Sequence, residues 1–249
     1  MIAPAEHDLL RTWEEAVPQH PLDRALTLLR AACPDHAHAE LGRMSVGTRD
    51  SLLLSLRERL FGRALRAVAD CAECGETLDL ALTTTGLRAA PALEGPPREP
   101  VEHELELDGV MIRFRLVDSF DLAAALSCDG VAAARRALLD RVVVAAHRAR
   151  EPVRELSPAV EARLEERLAE LDPQADIALD LTCPSCSARW QAPFDVFSFL
   201  WSDIDRWARR LFRTVDALAR AYGWSEADVL ALSPHRRRIY QELAAGGDA

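Results

Sequence analysis

The sequence has no lysine and no asparagine, so all 30 of its permanently basic side chains are arginine. Codons for both missing residues are A-rich, and a GC-rich coding sequence explains the bias without a functional demand. No apolar stretch approaches the ~18 uninterrupted residues that a membrane-crossing helix needs. The opening segment, Met1 to Trp13, lacks the basic flank and continuous apolar run of a secretory signal. The chain therefore reads as cytoplasmic, with no membrane partner. Positive charge is also short, 40 acidic residues standing against 30 basic ones for a net charge of -10. That balance argues against broad nonspecific nucleic-acid binding.

Catalytic signatures are missing as well. There is no G-x-G-x-x-G, no G-x-x-x-x-G-K-[ST] and no H-E-x-x-H, and Ser45 and Ser51 have no glycine elbow around them. Glu102, Glu104 and Glu106 share a strand face that paired arginines can neutralise. These absences favour a protein that is not an enzyme and has no small-molecule substrate.

What the sequence does contain is two C-x-x-C pairs, Cys71-Ala72-Glu73-Cys74 and Cys183-Pro184-Ser185-Cys186. In a cytoplasmic chain such pairs are more often metal ligands than disulfides. Four thiolates supply the tetrahedron that a structural zinc ion requires, and leave it no open position for water or substrate. The two pairs lie far apart in sequence, but loop-closure cost grows only logarithmically with length. One shared zinc is the preferred reading; separate metal sites, or redox-active or packed thiols, remain alternatives. Cys33 and Cys128 have no such partner and read as buried, inert thiols, although His36 and His38 beside Cys33 leave a second metal loop open.

Hydrophobic periodicity places the remaining elements. Leu22, Ala25, Leu26, Leu29 and Ala32, then Leu52, Leu53, Leu56 and Leu60, repeat at helical spacing, so residues 1–70 read as a helical region. Arg57, Glu58 and Arg59 fall on the solvent side of the second helix, and Gly62 is its stop. Residues 89–100, with Pro91, Gly95, Pro96, Pro97 and Pro100, read as a linker or exposed loop. Val101 to Leu107 alternate with glutamates before the Asp108-Gly109 turn signal, which predicts a hairpin. Its register sets Leu107 against Val110, Leu105 against Ile112 and His103 against Phe114. The same register pairs Glu104 with Arg113 and Glu102 with Arg115. Helix is expected from Asp121 to Arg150, broken near Gly130, and again after the Ser157-Pro158 cap.

The second cysteine pair lies between Ile177–Leu181 and a return strand at Trp190. A long amphipathic helix then runs from Phe194 to Tyr222. Ser225 with Asp228 and Ser233-Pro234 open the last two helices. Of five tryptophans and seven phenylalanines, eight lie between Trp190 and Trp224. Core packing accounts for most of them, but aromatics also concentrate at interface hot spots. Trp201, Trp207 and Trp224 are therefore the candidate partner-binding residues.

Several stretches resemble one family. Leu181-Thr182-Cys183-Pro184-Ser185-Cys186, Trp190-Gln191-Ala192-Pro193-Phe194-Asp195 and Phe199-Leu200-Trp201 resemble the T4-type baseplate proteins of contractile phage tails and phage-tail-like contractile injection systems. Tyr222-Gly223-Trp224-Ser225, the following helix pair, Gly47-Thr48-Arg49-Asp50 and the Cys71/Cys74 knuckle add to the likeness. Ser187 stands where a glycine often follows the second knuckle. The resemblance implies a baseplate assembly factor or minor component whose partners are other tail proteins, incorporated or not into a tail-like particle. The alternative function is a zinc-ribbon adaptor for nucleic acid or the transcription machinery.

The expected fold is α+β, mostly helical, with a split four-cysteine zinc ribbon and a β-hairpin. Its expected parts are residues 1–70 (helical), 71–88 with 174–194 (ribbon), 101–172 (inserted hairpin and helices) and 195–249 (C-terminal helices).

Overall fold

A computed structural model of the chain describes residues 1–89, 91–93, 95–96, 101–149 and 151–246. Pro97 and Pro100 of the expected linker, and Arg150 at the expected helix end, lie outside the described residues. The fold is α+β and more than half helical, with small antiparallel sheets.

Four helices open the chain: α1 (Glu6–Ala16), α2 (Pro21–Ala32), α3 (His38–Gly42) and α4 (Val46–Phe61). The side chain of Ser45 caps α4 by accepting from the Thr48 N–H at 3.1 Å. Gly62 ends it with φ 85°, a left-handed position that glycine takes without a Cβ penalty. Leu52, Leu53, Leu54 and Leu56 are all buried, as are Arg49, Asp50, Ser51, Ser55 and Arg57. Burial nearly all round marks α4 as the central helix.

Arg57 is thus not on a solvated face. The helix α8 (Val196–Tyr222) covers that side and supplies Asp203, whose carboxylate lies 3.2 Å from the Arg57 Nε. Arg57 also donates to the Gly62 carbonyl. A guanidinium can enter a core only when carboxylate and carbonyl partners replace its water. Around this pair α2, α4 and α8 share the main core, which includes Leu26, Leu29, Leu53, Phe197, Leu200 and Ile204.

The first seventy residues are not wholly helical either. Ala64–Asp70 forms strand β1, paired antiparallel with β2 (Thr77–Thr83). After the Gly62 break only alternate residues are shielded, Leu65 being buried, and that is strand periodicity.

Residues beyond 100 build a second core. The strands β3 (Glu102–Leu107) and β4 (Val110–Arg115) pair in the register expected from the sequence, Leu107 to Val110 through Glu102 to Arg115. The expected ion pairs do not form. Arg113 reaches diagonally to Glu102 at 3.1 Å, and Arg115 turns to Asp121 in α5 (Ser119–Leu126). Asp121 is fully buried and also accepts from Arg141, so it competes for Arg115 better than an exposed glutamate can.

The helix expected to run to Arg150 stops at Val142. α6 spans Val131–Val142, and Val143–Arg148 is strand β5, hydrogen-bonded to β4, with the short β6 (Glu151–Pro152) beside it. Three consecutive valines, Val142 to Val144, favour strand, and β4 would otherwise present an open edge. α7 (Pro158–Leu171) closes this core, packing Val160 and Leu164 with Ile112 and Phe114.

Both ends of this insertion are tied to the start of α4. The Val46 N–H donates to the Val117 carbonyl at 2.9 Å, and the Gly47 N–H donates to Asp172 at 2.9 Å. A Cβ at Gly47 would lie 2.0 Å from Asp172 Oδ1. Gly47→Ala is therefore expected to expel the Asp172 carboxylate and destabilise the protein by roughly 1–3 kcal/mol, from a lost helix cap and local overpacking. Urea unfolding measures this; an unchanged midpoint would contradict the contact.

The chain finishes with β7 (Ala178–Thr182), β8 (Arg189–Pro193), α8, α9 (Glu226–Ala231) and α10 (Pro234–Ala245). The capping box expected at Ser225 and Asp228 and the Ser233 cap are both present.

Candidate metal centre

β1 and β2 flank the first cysteine pair, and β7 and β8 the second. Each pair sits in a turn closed by the same two backbone bonds. The Cys71 N–H donates to the Glu76 carbonyl and the Gly75 N–H to the Cys71 carbonyl; the Cys183 N–H donates to Ala188 and the Ser187 N–H to Cys183. The residue after each second cysteine has a positive φ, 74° at Gly75 and 62° at Ser187. The two units are thus the same local structure, formed twice. Serine pays a steric penalty in the left-handed region that glycine does not. Ser187→Gly is expected to raise stability by about 1 kcal/mol, read as a higher denaturation midpoint with unchanged metal content. A fall would show that Ser187 contributes something beyond its backbone.

The fold brings the two knuckles face to face. All four sulfurs lie within 4.8 Å of one another. Across the knuckles, the sulfurs of Cys71 and Cys186 are 3.7 Å apart and those of Cys74 and Cys183 3.6 Å. These are far beyond the ~2.05 Å of a disulfide. A tetrahedron with metal–sulfur bonds of about 2.3 Å has edges of about 3.8 Å, so the four thiols fit a metal ion at their centre. Cys71 and Cys183 are buried, while Cys74 and Cys186 are exposed. Leu78, Leu80, Ala188 and Trp190 pack around the inner pair.

The electrostatics favour the same occupant. The N–H of Cys186, followed by that of Ser185, points at the Cys183 sulfur and lowers its pKa to about 7 despite burial. At Cys74 the Glu76 N–H favours the thiolate, but the crowding thiols of Cys183, Cys186 and Cys71, with desolvation, push the pKa to about 12. For Cys186 the Ala188 N–H and Cys74 favour the thiolate, yet burial, Cys183 and Cys71 outweigh them and raise it. Cys183 ionises readily, while Cys74 and Cys186 resist adding charge. A divalent cation removes that resistance, because it stabilises all four thiolates at once.

The other candidate residues lie elsewhere. Cys33 is buried, with its thiol pKa raised chiefly by desolvation. Cys128 is only half-buried and donates to the Ala124 carbonyl at 3.4 Å, so the expectation of burial fails there. His36 faces Glu40 at 3.6 Å, and neither it nor His38 joins a metal-ligating cluster among the described residues.

Trp201 is half-buried over Phe197, with the Arg24 guanidinium 4.7 Å from its ring. Trp207 is half-buried between the main core and a smaller cluster of Leu10, Ala208 and Leu211. Trp224 stacks on Tyr222 at 4.7 Å and meets Tyr240 edge-on at 4.9 Å. Sequence periodicity placed Trp201 and Trp207 on α8, and Trp224 lies in the turn between α8 and α9. Periodicity carried no signal for the Arg57–Asp203 pair that locks the helix after the ribbon onto the helix before it.

No helix among the described residues is long and apolar enough to cross a membrane. The sequence matches no protein-family model, no curated protein and no solved structure.

Proposed function

We propose that the protein is a non-enzymatic assembly factor or structural component of a contractile-tail baseplate, stabilised by one structural zinc ion. The observation that carries this reading is the closed character of the site. Four sulfurs converge and leave a four-coordinate metal no position for substrate. Zinc is the metal that four thiolates in a tetrahedron favour among those common in cells. The ion would be held by Cys71, Cys74, Cys183 and Cys186, and would join two knuckles that are far apart in the sequence.

A cleft opens beside the ribbon. This opening of about 430 Å³ is lined by Asp180, Leu181, Thr182, Arg189, Trp190 and Gln191. Its one carboxylate, Asp180, is engaged by Gln191 at 3.0 Å. A nucleic-acid adaptor is less well supported, because the ribbon strands and knuckles carry Asp70, Glu73, Glu76, Asp79 and Asp180 against Arg66 and Arg189.

The baseplate assignment draws on the sequence resemblance, and its partners would be other tail proteins. The test is co-expression with the sheath, tube and baseplate proteins of the same gene cluster. The expected result is co-purification with a baseplate protein and loss of contractile particles when the gene is deleted. Normal particles in the deletion strain would end this reading.

A further inference from the structure

We infer that the outer face of α10 docks an acidic amphipathic helix of another protein. α10 buries one residue, Arg237, which pairs with Glu6 of α1. It is also attached by a Gln241–Thr214 hydrogen bond at 3.0 Å, by the Tyr222 hydroxyl donating to the Tyr240 carbonyl at 3.3 Å, and by the contact of the Tyr240 ring with Tyr222 and Trp224. On the opposite side Ile239 and Leu243, one turn apart, are 42% and 57% exposed. A helix stabilised only by its own chain gains nothing from two large aliphatic residues in water.

Charge selects the occupant. Arg236, one turn before Ile239, and Arg238 are exposed, and among the described residues neither has a carboxylate within 4.0 Å. Glu242 is the only acid on the helix, and His235 adds a further titratable group to this face. Residues 196–246 carry eight arginines against six acidic residues, in a chain whose net charge is -10. An aliphatic pair bordered by Arg236, with Arg238 further round the helix beyond Glu242, complements a partner helix with leucines along one face and glutamates or aspartates beside them. Nucleic acid would satisfy the arginines and leave Ile239 and Leu243 wet. An anionic bilayer would be repelled by the acidic remainder of the chain.

The inference rests on reading the protein as a docking component, and not on which particle it serves. It is tested on the full-length, metal-loaded protein with a fluorescein-labelled synthetic peptide of about 20 residues, long enough to hold a helix. The peptide carries leucine at helical spacing and glutamate elsewhere. Comparators are the same peptide with lysine for glutamate, a short DNA duplex and phosphatidylserine vesicles. Saturable binding of the glutamate peptide is expected. Both Ile239→Asp/Leu243→Asp and Arg236→Glu/Arg238→Glu should weaken it by at least about tenfold, with wild-type melting and metal content. If the aspartate pair melts early, Ile239→Ser/Leu243→Ser replaces it.

Equal binding by either variant pair, or no binding at all, overturns the inference. So does binding of the lysine peptide, the duplex or the vesicles that matches or exceeds that of the glutamate peptide. Peptide binding in a protein that associates with no tail component would uphold the inference and count against the baseplate alone. Normal association with tail proteins without peptide binding would do the reverse.

Discussion

Replacing Cys71 or Cys183 with serine is expected to abolish stoichiometric metal binding and lower the melting temperature by roughly 10 °C or more. Structural zinc sites of this class contribute about 10–16 kcal/mol of apparent binding energy in small peptides. A domain's whole stability is only about 5–15 kcal/mol, so losing even a few kcal/mol is a large fraction. At this chain length each kcal/mol is worth about 2–4 °C. Cys128→Ser is the matched control, because its thiol lies outside the four-cysteine cluster and donates to the Ala124 carbonyl, which a hydroxyl can also do; it should keep both metal and melting temperature. Acid should mimic the ligand variants, since protons compete for the thiolates, and metal release and loss of the ribbon should coincide as pH falls. Wild-type melting in a metal-free Cys183→Ser protein would show that the ribbon holds by packing alone.

The second large effect is expected at Arg57. Its side chain is 7% exposed and that of Asp203 13%. Removing one member of a buried ion pair typically costs 3–5 kcal/mol, because the remaining charge is left without compensation. Arg57→Ala should fall near the lower figure, about 3 kcal/mol, since Asp203 keeps a longer contact to Arg206 at 3.4 Å. The double substitution Arg57→Leu/Asp203→Leu should recover most of that loss by removing both charges and filling the space. Denaturant unfolding of the three proteins decides the matter. A double variant no more stable than Arg57→Ala would mean that the Gly62 contact, and not the charge pair, holds this joint.

These two sites also mark what was and was not legible in the sequence. The two cysteine knuckles were legible because C-x-x-C spacing encodes such a turn locally, and the β3–β4 register because both faces of the hairpin agree on one alignment. Local capping chemistry likewise announced Ser225 and Ser233. What failed was long-range. Arg57 looks like a solvent residue until Asp203 arrives from another helix. The stretch after Val142 carries helical spacing in Val142, Ala145 and Ala146, and the valine run together with the open edge of β4 makes it a strand. The hairpin arginines found better acceptors than the glutamates across the turn, since Asp121 is buried and already oriented by α5. Gly47 was visible as part of a motif, but its reason, the carboxylate of Asp172 against its α-carbon, belongs to the packed insertion.

One metal ion joining the two knuckles is the claim on which the account depends most. X-ray absorption at the zinc edge, with metal quantitation on the same purified full-length protein, tests it most directly. The account predicts about one zinc per chain in a shell of four sulfurs near 2.3 Å, with no oxygen or nitrogen ligand. A folded protein without zinc, or zinc held in a mixed shell with an exchangeable water, would contradict it.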